Sequence, residues 1–259
     1  MSDAILVARA AAVATVELNN PDKLNALSFG MWMRLGEVMR ELDAEEGLRC
    51  IVLRGAGEKA FAAGADIAEF ATLRSSAAVA KAYGDKIEGT MRAVAECRHP
   101  TVAMIHGVCV GGGLEIASQC DLRICGASSR FGIPINKLGL VVGYGEMRAL
   151  IELVGRATAL EILLEGRVFG AAEAKEKGLI NRIVADRDVE AEALAAAARI
   201  AAGAPLVARW HKRFARRLAD PRPLGEAERD EAYACFDTED YRIGFNAFLA
   251  KTKPEFKGR

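Results

Sequence analysis

The sequence His106-Gly-Val-Cys-Val-Gly-Gly-Gly-Leu-Glu-Ile-Ala-Ser118 joins a predicted strand to a predicted helix through three consecutive glycines. The apolar run Thr101–Ile105 predicts a buried strand, and Glu115 is expected in the first turn of the helix. Glycines at a helix start leave backbone N–H groups unshielded, where the helix dipole is positive. Such a turn suits an anion, or a carbonyl oxygen gaining negative charge, beside an acid–base residue. The glycines could equally serve close helix–strand packing.

A second turn of small residues, Phe61-Ala-Ala-Gly-Ala-Asp-Ile67, follows the predicted strand Arg49–Arg54 and leads into a helix near Ile67–Leu73. The chain therefore twice has the order strand, small-residue turn, helix. If the two turns lie together in the fold, they could direct two N–H groups at one oxygen. That is the geometry of an oxyanion hole, which stabilises negative charge on a reacting carbonyl oxygen.

The other elements follow from hydrophobic spacing and turn residues, with Ser28 as the expected N-cap of a long helix. Residues 1–200 are predicted to form an α/β core, and residues 201–259 a helical segment for packing or assembly. The further predicted strands are 4–8, 13–18, 121–125 and 179–184, and the helices are 29–46, 77–97, 146–154, 157–164, 171–177 and 189–202.

Composition excludes several classes of protein. The 259 residues carry 35 Lys plus Arg and 35 Asp plus Glu, so neither nucleic acid nor an anionic membrane is expected as the main partner. A basic cluster at 209–217 is read as a solvated helix face. Six cysteines without a Cys-x-x-Cys pair, and three histidines, argue against a metal site. The chain shows no secretion signal and no run of membrane-spanning length, so a reduced cytoplasmic protein is expected.

Taken jointly, several motifs resemble the enoyl-CoA hydratase/isomerase (crotonase) family. The resemblance covers almost the whole chain in the family's order and spacing. It rests on the two turns together with Asn20-Pro-Asp-Lys-Leu-Asn-Ala-Leu27, Arg130-Phe-Gly-Ile-Pro134, Gly178-Leu-Ile-Asn-Arg-Ile-Val184 and Ala247-Phe-Leu-Ala-Lys251.

The resemblance implies a crotonase-like spiral of ββα units, with C-terminal helices that build homotrimers, commonly paired into hexamers. It also implies an acyl-CoA thioester as substrate, with no cofactor beyond the coenzyme A of that substrate. The N–H groups of Ala65 and Gly112 would hold the thioester oxygen as it becomes an enolate, and Glu115 would be the acid–base residue. The expected CoA-binding residues are Lys23, Ala63, Gly64, Ala65, Asp66, Ile67, Gly112, Phe248 and Lys251, of which Phe248 and Lys251 would reach a neighbouring subunit's ligand.

The sequence departs from the family at the position expected to hold a second hydratase glutamate, which is Ile135. An isoleucine cannot carry a proton, so Glu146 or Tyr144, a few residues on, are candidates for the second acid–base group. Three interpretations stay open. They are hydration or double-bond isomerisation through Glu115, decarboxylation or C–C cleavage at the same oxyanion hole, and a non-catalytic protein that binds CoA or RNA.

Overall fold

The computed structural model describes residues 4–259, in which pairs of consecutive strands are shared between two sheets. One sheet has six strands in the order β1-β2-β3-β5-β7-β10, and the other has four in the order β4-β6-β8-β9. In the pairs β3-β4, β5-β6 and β7-β8, the first strand lies in the larger sheet and the second in the smaller one. The described strands are β1 (Ile5–Ala10), β2 (Val13–Leu18), β3 (Cys50–Gly55), β4 (Ala60–Ala62), β5 (Thr101–Ile105), β6 (Val108–Val110), β7 (Leu122–Gly126), β8 (Arg130–Gly132), β9 (Phe169–Gly170) and β10 (Arg182–Val184).

Helices follow the strand pairs, so that the units β3-β4, β5-β6 and β7-β8 each end in a helical segment. This repeat is the spiral of ββα units expected from the sequence. The described α-helices are α1 (Phe29–Ala44), α2 (Phe70–Leu73), α3 (Ala77–Glu96), α4 (Gly112–Gln119), α5 (Tyr144–Glu165), α6 (Ala171–Glu176), α7 (Val189–Ala201), α8 (Pro205–Leu218), α9 (Glu226–Glu231) and α10 (Glu239–Ala250).

The six-stranded sheet has central strands, β3 and β5, that are buried on both faces, as the continuous apolar run of β5 predicts. Its strands run parallel from β2 to β10, and only β1 is antiparallel to its neighbour. One face packs into the main core. The other is covered by α7, whose buried alanines, Ala193, Ala196 and Ala197, let the helix approach Val52 and Val102 closely. Burial on both faces fits a parallel sheet covered by helices.

Several predicted bounds are confirmed, and others are corrected by hydrogen bonding. Ser28 caps α1, because its Oγ accepts from the Met31 N–H at 3.3 Å, but the helix ends at Ala44 rather than residue 46. The two helices predicted at 146–154 and 157–164 are confirmed as two helical stretches of α5, separated by a kink at Gly155, whose φ of 74° is left-handed. The strand predicted at 179–184 begins only at Arg182, because the Leu179 N–H donates to the Ala174 carbonyl in the turn after α6.

Other predicted helices and strands differ from the observed ones mainly in where they begin or end. The segment predicted as a helix near 67–73 is a 3-10 turn, Ile67–Glu69, continued by the single turn of α2. The strand predicted at 4–8 extends to Ala10, and the one predicted at 121–125 begins at Leu122. The helices predicted at 77–97, 171–177 and 189–202 each end one residue earlier.

The C-terminal helices are attached to the core by buried polar contacts. The Lys212 ammonium of α8 lies 2.8 Å from an Asp121 carboxylate oxygen, and that oxygen also accepts from the Thr101 N–H at 2.7 Å. The buried Asp240 of α10 accepts from the N–H groups of Lys257 and Gly258, which fixes the chain end against α10. The division predicted between residues 200 and 201 stays a prediction.

Candidate active site

The turn after β4 directs one backbone N–H away from its neighbouring segment. The Leu27 N–H donates to the Gly64 carbonyl at 2.8 Å, and the Leu27 carbonyl accepts from the Asp66 N–H at 2.9 Å. In a parallel bridge of this kind, the residue between the two bonds turns its own N–H to the opposite side. Ala65 is that residue. Gly64 makes the turn possible, because its φ of +102° is rarely open to a residue with a side chain.

The turn before α4 exposes N–H groups at the helix start. Gly111 precedes the helix with a φ of 49° and a ψ of −126°, which favours glycine. The first intrahelical bond runs from the Glu115 N–H to the Gly111 carbonyl at 2.9 Å, so the N–H of Gly112 precedes the helical ladder. Gly113 serves packing, because a Cβ there would lie 2.3 Å from the Ala62 carbonyl oxygen. Gly112 therefore fits the interpretation of an exposed N–H donor, whereas Gly113 fits the interpretation of close helix–strand packing.

The two turns meet across a narrow gap. A Cβ built on Gly112 would lie 3.6 Å from the Ala65 nitrogen, and a Cβ built on Gly64 would lie 3.7 Å from the Gly112 nitrogen. Glycine at both positions keeps this gap open. Two backbone N–H groups that border one gap can donate to the same ligand oxygen.

A cavity of about 810 Å³ opens in front of the two amides. Glu115 and Glu146 both line it, so two carboxylates from different helices share one space, and Ile135 contributes an apolar side chain to the same wall. The lining of the cavity includes Trp32, Ala63, Gly64, Ala65, Ile67, Phe70, Arg74, Lys81, Tyr83, Asp85, Glu88, Gly112, Glu115, Ile135, Tyr144 and Glu146.

Glu115 has an unusual protonation equilibrium. Burial, and to a lesser extent the negative charge of Glu146, raise its pKa from an ordinary value of 4.5 to about 7, while the Arg74 guanidinium opposes the shift. A carboxyl group with a pKa near neutrality can accept and donate a proton at ordinary pH. A carboxyl group whose pKa is shifted by burial and by a neighbouring charge within a cavity is typical of an active site.

The sequence-predicted CoA-binding residues fall into three groups. Ala63, Gly64, Ala65, Ile67 and Gly112 line the cavity, and the side chain of Ile67 is exposed. Lys23 and Asp66 lie beside it as an ion pair of 2.7 Å, in which Lys23 lowers the pKa of Asp66. Phe248 and Lys251, at the end of α10, do not line this chain's cavity, and Phe248 is 83% exposed.

The candidates for the second acid–base group differ in solvent exposure and in the direction of their side chains. Tyr144 lies at the cavity mouth, 95% exposed to solvent. Glu146 folds back over the start of α5, so that a Cβ on Gly143 would lie 2.5 Å from its Oε2. Asn136, next to Ile135, points elsewhere, because its amide donates to the Leu164 carbonyl at 2.9 Å.

Sequence reasoning missed Arg74 and the two rings that cover it, Phe70 and Tyr83. Arg74 ends α2 and Tyr83 belongs to α3, so their meeting depends on how the two helices pack. In the sequence, the only signal for this cluster is that Phe70 and Tyr83 lie on either side of Arg74.

Within residues 4–259, no three His, Cys, Asp or Glu side chains gather as a metal site. In the same range no single helix is long and apolar enough to cross a membrane. The helix pair Asp186–Ala201 and Pro205–Leu218 has the length and composition of a span only if both helices are taken together, and the two are bent by 104°.

Comparison with known proteins identifies the family. The model of the enoyl-CoA hydratase/isomerase family matches residues 8–259. A Rhizobium meliloti protein described as a "Probable enoyl-CoA hydratase" is 37% identical over 99% of both chains, and the short-chain-enoyl-CoA hydratase of Clostridium acetobutylicum is 32% identical over 98% of both. The crystal structure of an enoyl-CoA hydratase/carnithine racemase from Magnetospirillum magneticum is 50% identical, with a TM-score of 0.98 over 100% of this chain and 97% of that one.

These matches define an enzyme class with the crotonase-like α/β fold, as the motifs predicted. The chain belongs to the enoyl-CoA hydratase/isomerase family, whose members are enzymes of the lyase or isomerase type.

Proposed function

We propose that the protein acts on an enoyl-CoA thioester, by hydration or by relocation of its double bond, with the thioester enolate held by the N–H groups of Ala65 and Gly112. The observation that carries the proposal is that both amides and Glu115 line one cavity. In hydration, water gives up a proton as its oxygen bonds to C3, the electron pair of the double bond moves toward the thioester oxygen, and C2 takes a proton as the enolate collapses. Glu115 accepts the proton from water or delivers the one to C2, since its pKa near 7 keeps both of its forms populated.

Glu146 is the proposed second acid–base group. It occupies the same cavity as Glu115 and influences the pKa of Glu115 through its charge, whereas Tyr144 is open to solvent. A carboxylate supplied by α5 would thus replace the glutamate absent at Ile135, and the pair could hold one water between them.

Removing the Glu146 charge is expected to change the pH dependence of the reaction. Like charges in one cavity oppose each other's ionisation, so Glu146→Gln should lower the pKa of Glu115. We expect the limb of the kcat/KM profile near pH 7 to move to lower pH, and kcat to fall about tenfold or more. Glu152→Gln, an exposed carboxylate on the same helix, should leave both unchanged. A limb that stays in place would contradict the coupling.

The apolar Ile135 favours a second candidate function, decarboxylation or C–C cleavage at the same oxyanion hole. A carboxylate that departs as CO2 loses its charge on the way, and an apolar wall assists such a loss. In this reaction the enolate forms by bond cleavage, and Glu115 would only return the proton to C2. Product analysis separates the two functions, because hydration of the double bond releases no CO2.

Ile135→Glu tests whether the missing glutamate limits hydration. The side chain lines the cavity wall with Glu115, so a carboxylate placed there would add a proton-transfer group. We expect the rate of loss of enoyl-thioester absorbance to rise about tenfold or more. Ile135→Gln has nearly the same shape but transfers no proton, and it should give no gain. Equal rates in the two variants would contradict the idea.

The assembly proposed is a homotrimer or a dimer of trimers. Large apolar side chains stay exposed on and before α10, among them Phe236, Phe245, Phe248 and Leu249, and a subunit interface would bury them. Phe248 and Lys251 would then contact CoA bound to a neighbour. Sedimentation should give three or six times the chain mass of 27.7 kDa, and a monomer would contradict the proposal.

The RNA-binding interpretation has little support in the charges of the basic cluster. Arg213 and Arg217 pair with Glu231 and Glu228, and the Arg216 guanidinium lies 3.1 Å from a Glu96 carboxylate oxygen. Arginines that already pair with carboxylates offer less charge to phosphate groups.

A further inference from the structure

Arg74 places a positive charge in the wall of the cavity that holds Glu115. Its guanidinium carbon lies 4.1 Å from the centroid of the Phe70 ring and 4.7 Å from that of Tyr83. Tyr83 is itself buried, which keeps this ring in place. Ring contacts of this kind stabilise a cation and hold its plane in position. With aromatic rings occupying its faces, the guanidinium has its in-plane N–H groups left for other partners.

Those N–H groups lack an acidic partner in the part of the chain that the structure describes. The Arg74 Nε is buried and has no hydrogen-bond acceptor, and Arg74 forms no ion pair with an Asp or Glu of residues 4–259, although its guanidinium also interacts with the Tyr83 hydroxyl. The nearby Glu69 accepts from the Phe29 N–H at 2.7 Å instead. Lys81, the other cation of the wall, is already paired with Asp85 at 2.6 Å.

A buried N–H without an acceptor is costly, so such a group is rarely left unpaired without a role. Planar N–H donors match the two oxygens of a carboxylate better than any neutral group. Arg74 thus lines the cavity with a positive charge and an unpaired N–H donor, which suit a carboxylate that enters with the substrate.

We propose that Arg74 binds a carboxylate carried on the acyl chain beyond C3, so that the preferred substrates are enoyl-CoA thioesters with a second acid group. This inference rests on the proposed function, because it assumes that the acyl chain occupies this cavity. The carboxylate is retained and not lost as CO2, since pairing with a guanidinium stabilises the charged group that decarboxylation would destroy.

Binding of saturated thioesters tests the inference without any turnover. The probes are pentanoyl-CoA and glutaryl-CoA, which have the same chain length but end in a methyl group and a carboxylate, respectively. In calorimetric titrations, the wild type should bind glutaryl-CoA about tenfold or more tightly than pentanoyl-CoA, as expected for a hydrogen bond to a charged group. Arg74→Leu should remove this preference, and Arg74→Lys should restore part of it.

Arg92→Leu is the matched control, because Arg92 is an exposed arginine of α3 that does not line the cavity. It should keep the wild-type preference. Equal binding of the two probes by the wild type, or a preference that survives Arg74→Leu, would overturn the inference. Turnover of the corresponding trans-2-enoyl thioesters tests the proposed function separately. If neither thioester is consumed, the proposed function fails, whereas the binding preference still decides the role of Arg74.

Discussion

Glu115→Gln is expected to lower kcat by about a hundredfold to ten-thousandfold, the range that a positioned acid–base group contributes. Glutamine keeps the size and hydrogen-bonding capacity of the side chain but cannot take up or release the proton. Binding of a saturated acyl-CoA should therefore be retained. The measurement is the loss of enoyl-thioester absorbance with a short trans-2-enoyl-CoA. Glu152→Gln is the control, and undiminished turnover in Glu115→Gln would rule out the role.

The same variant has a second, independent readout in the free energy of unfolding. The folded state raises the pKa of Glu115 from 4.5 to about 7, so it holds a proton that the unfolded chain has already released between these values. The wild type therefore loses stability from this residue as pH rises through that window, whereas glutamine has no charge to bury. We expect the stability of Glu115→Gln relative to wild type to increase from pH 4.5 to pH 8. A pH-independent difference would contradict the burial of a charged Glu115.

Gly112→Ala is expected to reduce kcat by about a hundredfold to a thousandfold, the cost of one lost oxyanion donor. The added Cβ would lie 3.6 Å from the Ala65 nitrogen, in the gap where the thioester oxygen should bind, and 2.9 Å from a Trp32 ring carbon. The thioester oxygen would be pushed away from both N–H groups, so kcat should fall more than acyl-CoA affinity.

The control for this change is Gly89→Ala, at a site on α3 where a Cβ meets nothing within 4 Å. It should leave turnover unchanged and, as an alanine in a helix, slightly raise the melting temperature. Thermal melts of Gly112→Ala separate a blocked site from a damaged fold. Full activity in a folded Gly112→Ala protein would exclude the proposed position of the oxyanion.

Features set by local chemistry could be predicted from the sequence. The cap at Ser28, the strand Thr101–Ile105 and the start of α4 depend on residues close in the chain, and the structure confirms them. The break between two helices near Gly155 was also predicted, and the structure confirms it. Gly155 has a left-handed φ that no helical residue adopts, and glycine reaches it without strain.

The missed parts of the site depend on tertiary packing. The stacking of Arg74 between Phe70 and Tyr83 requires α2 to lie against α3, which no local pattern specifies. Likewise, Glu146 was one of several polar residues after Ile135, and only the path of the intervening loop puts it in the cavity while Asn136 turns to Leu164. The two small-residue turns predicted a pair of N–H donors near Glu115, because each turn carries its own glycines, and the resemblance to the family implied that they belong to Ala65 and Gly112.

The bridge between Leu27 and Ala65 also bears on how this enzyme could be redesigned. The orientation of the Ala65 N–H is set by main-chain bonds, whereas Arg74 and Ile135, which line the same cavity and are proposed to contact the acyl chain, stand on other segments. A library that varies positions 74 and 135 would change which thioesters fit without altering the bonds that orient this amide. Substrate range and enolate stabilisation are therefore separable targets for directed evolution.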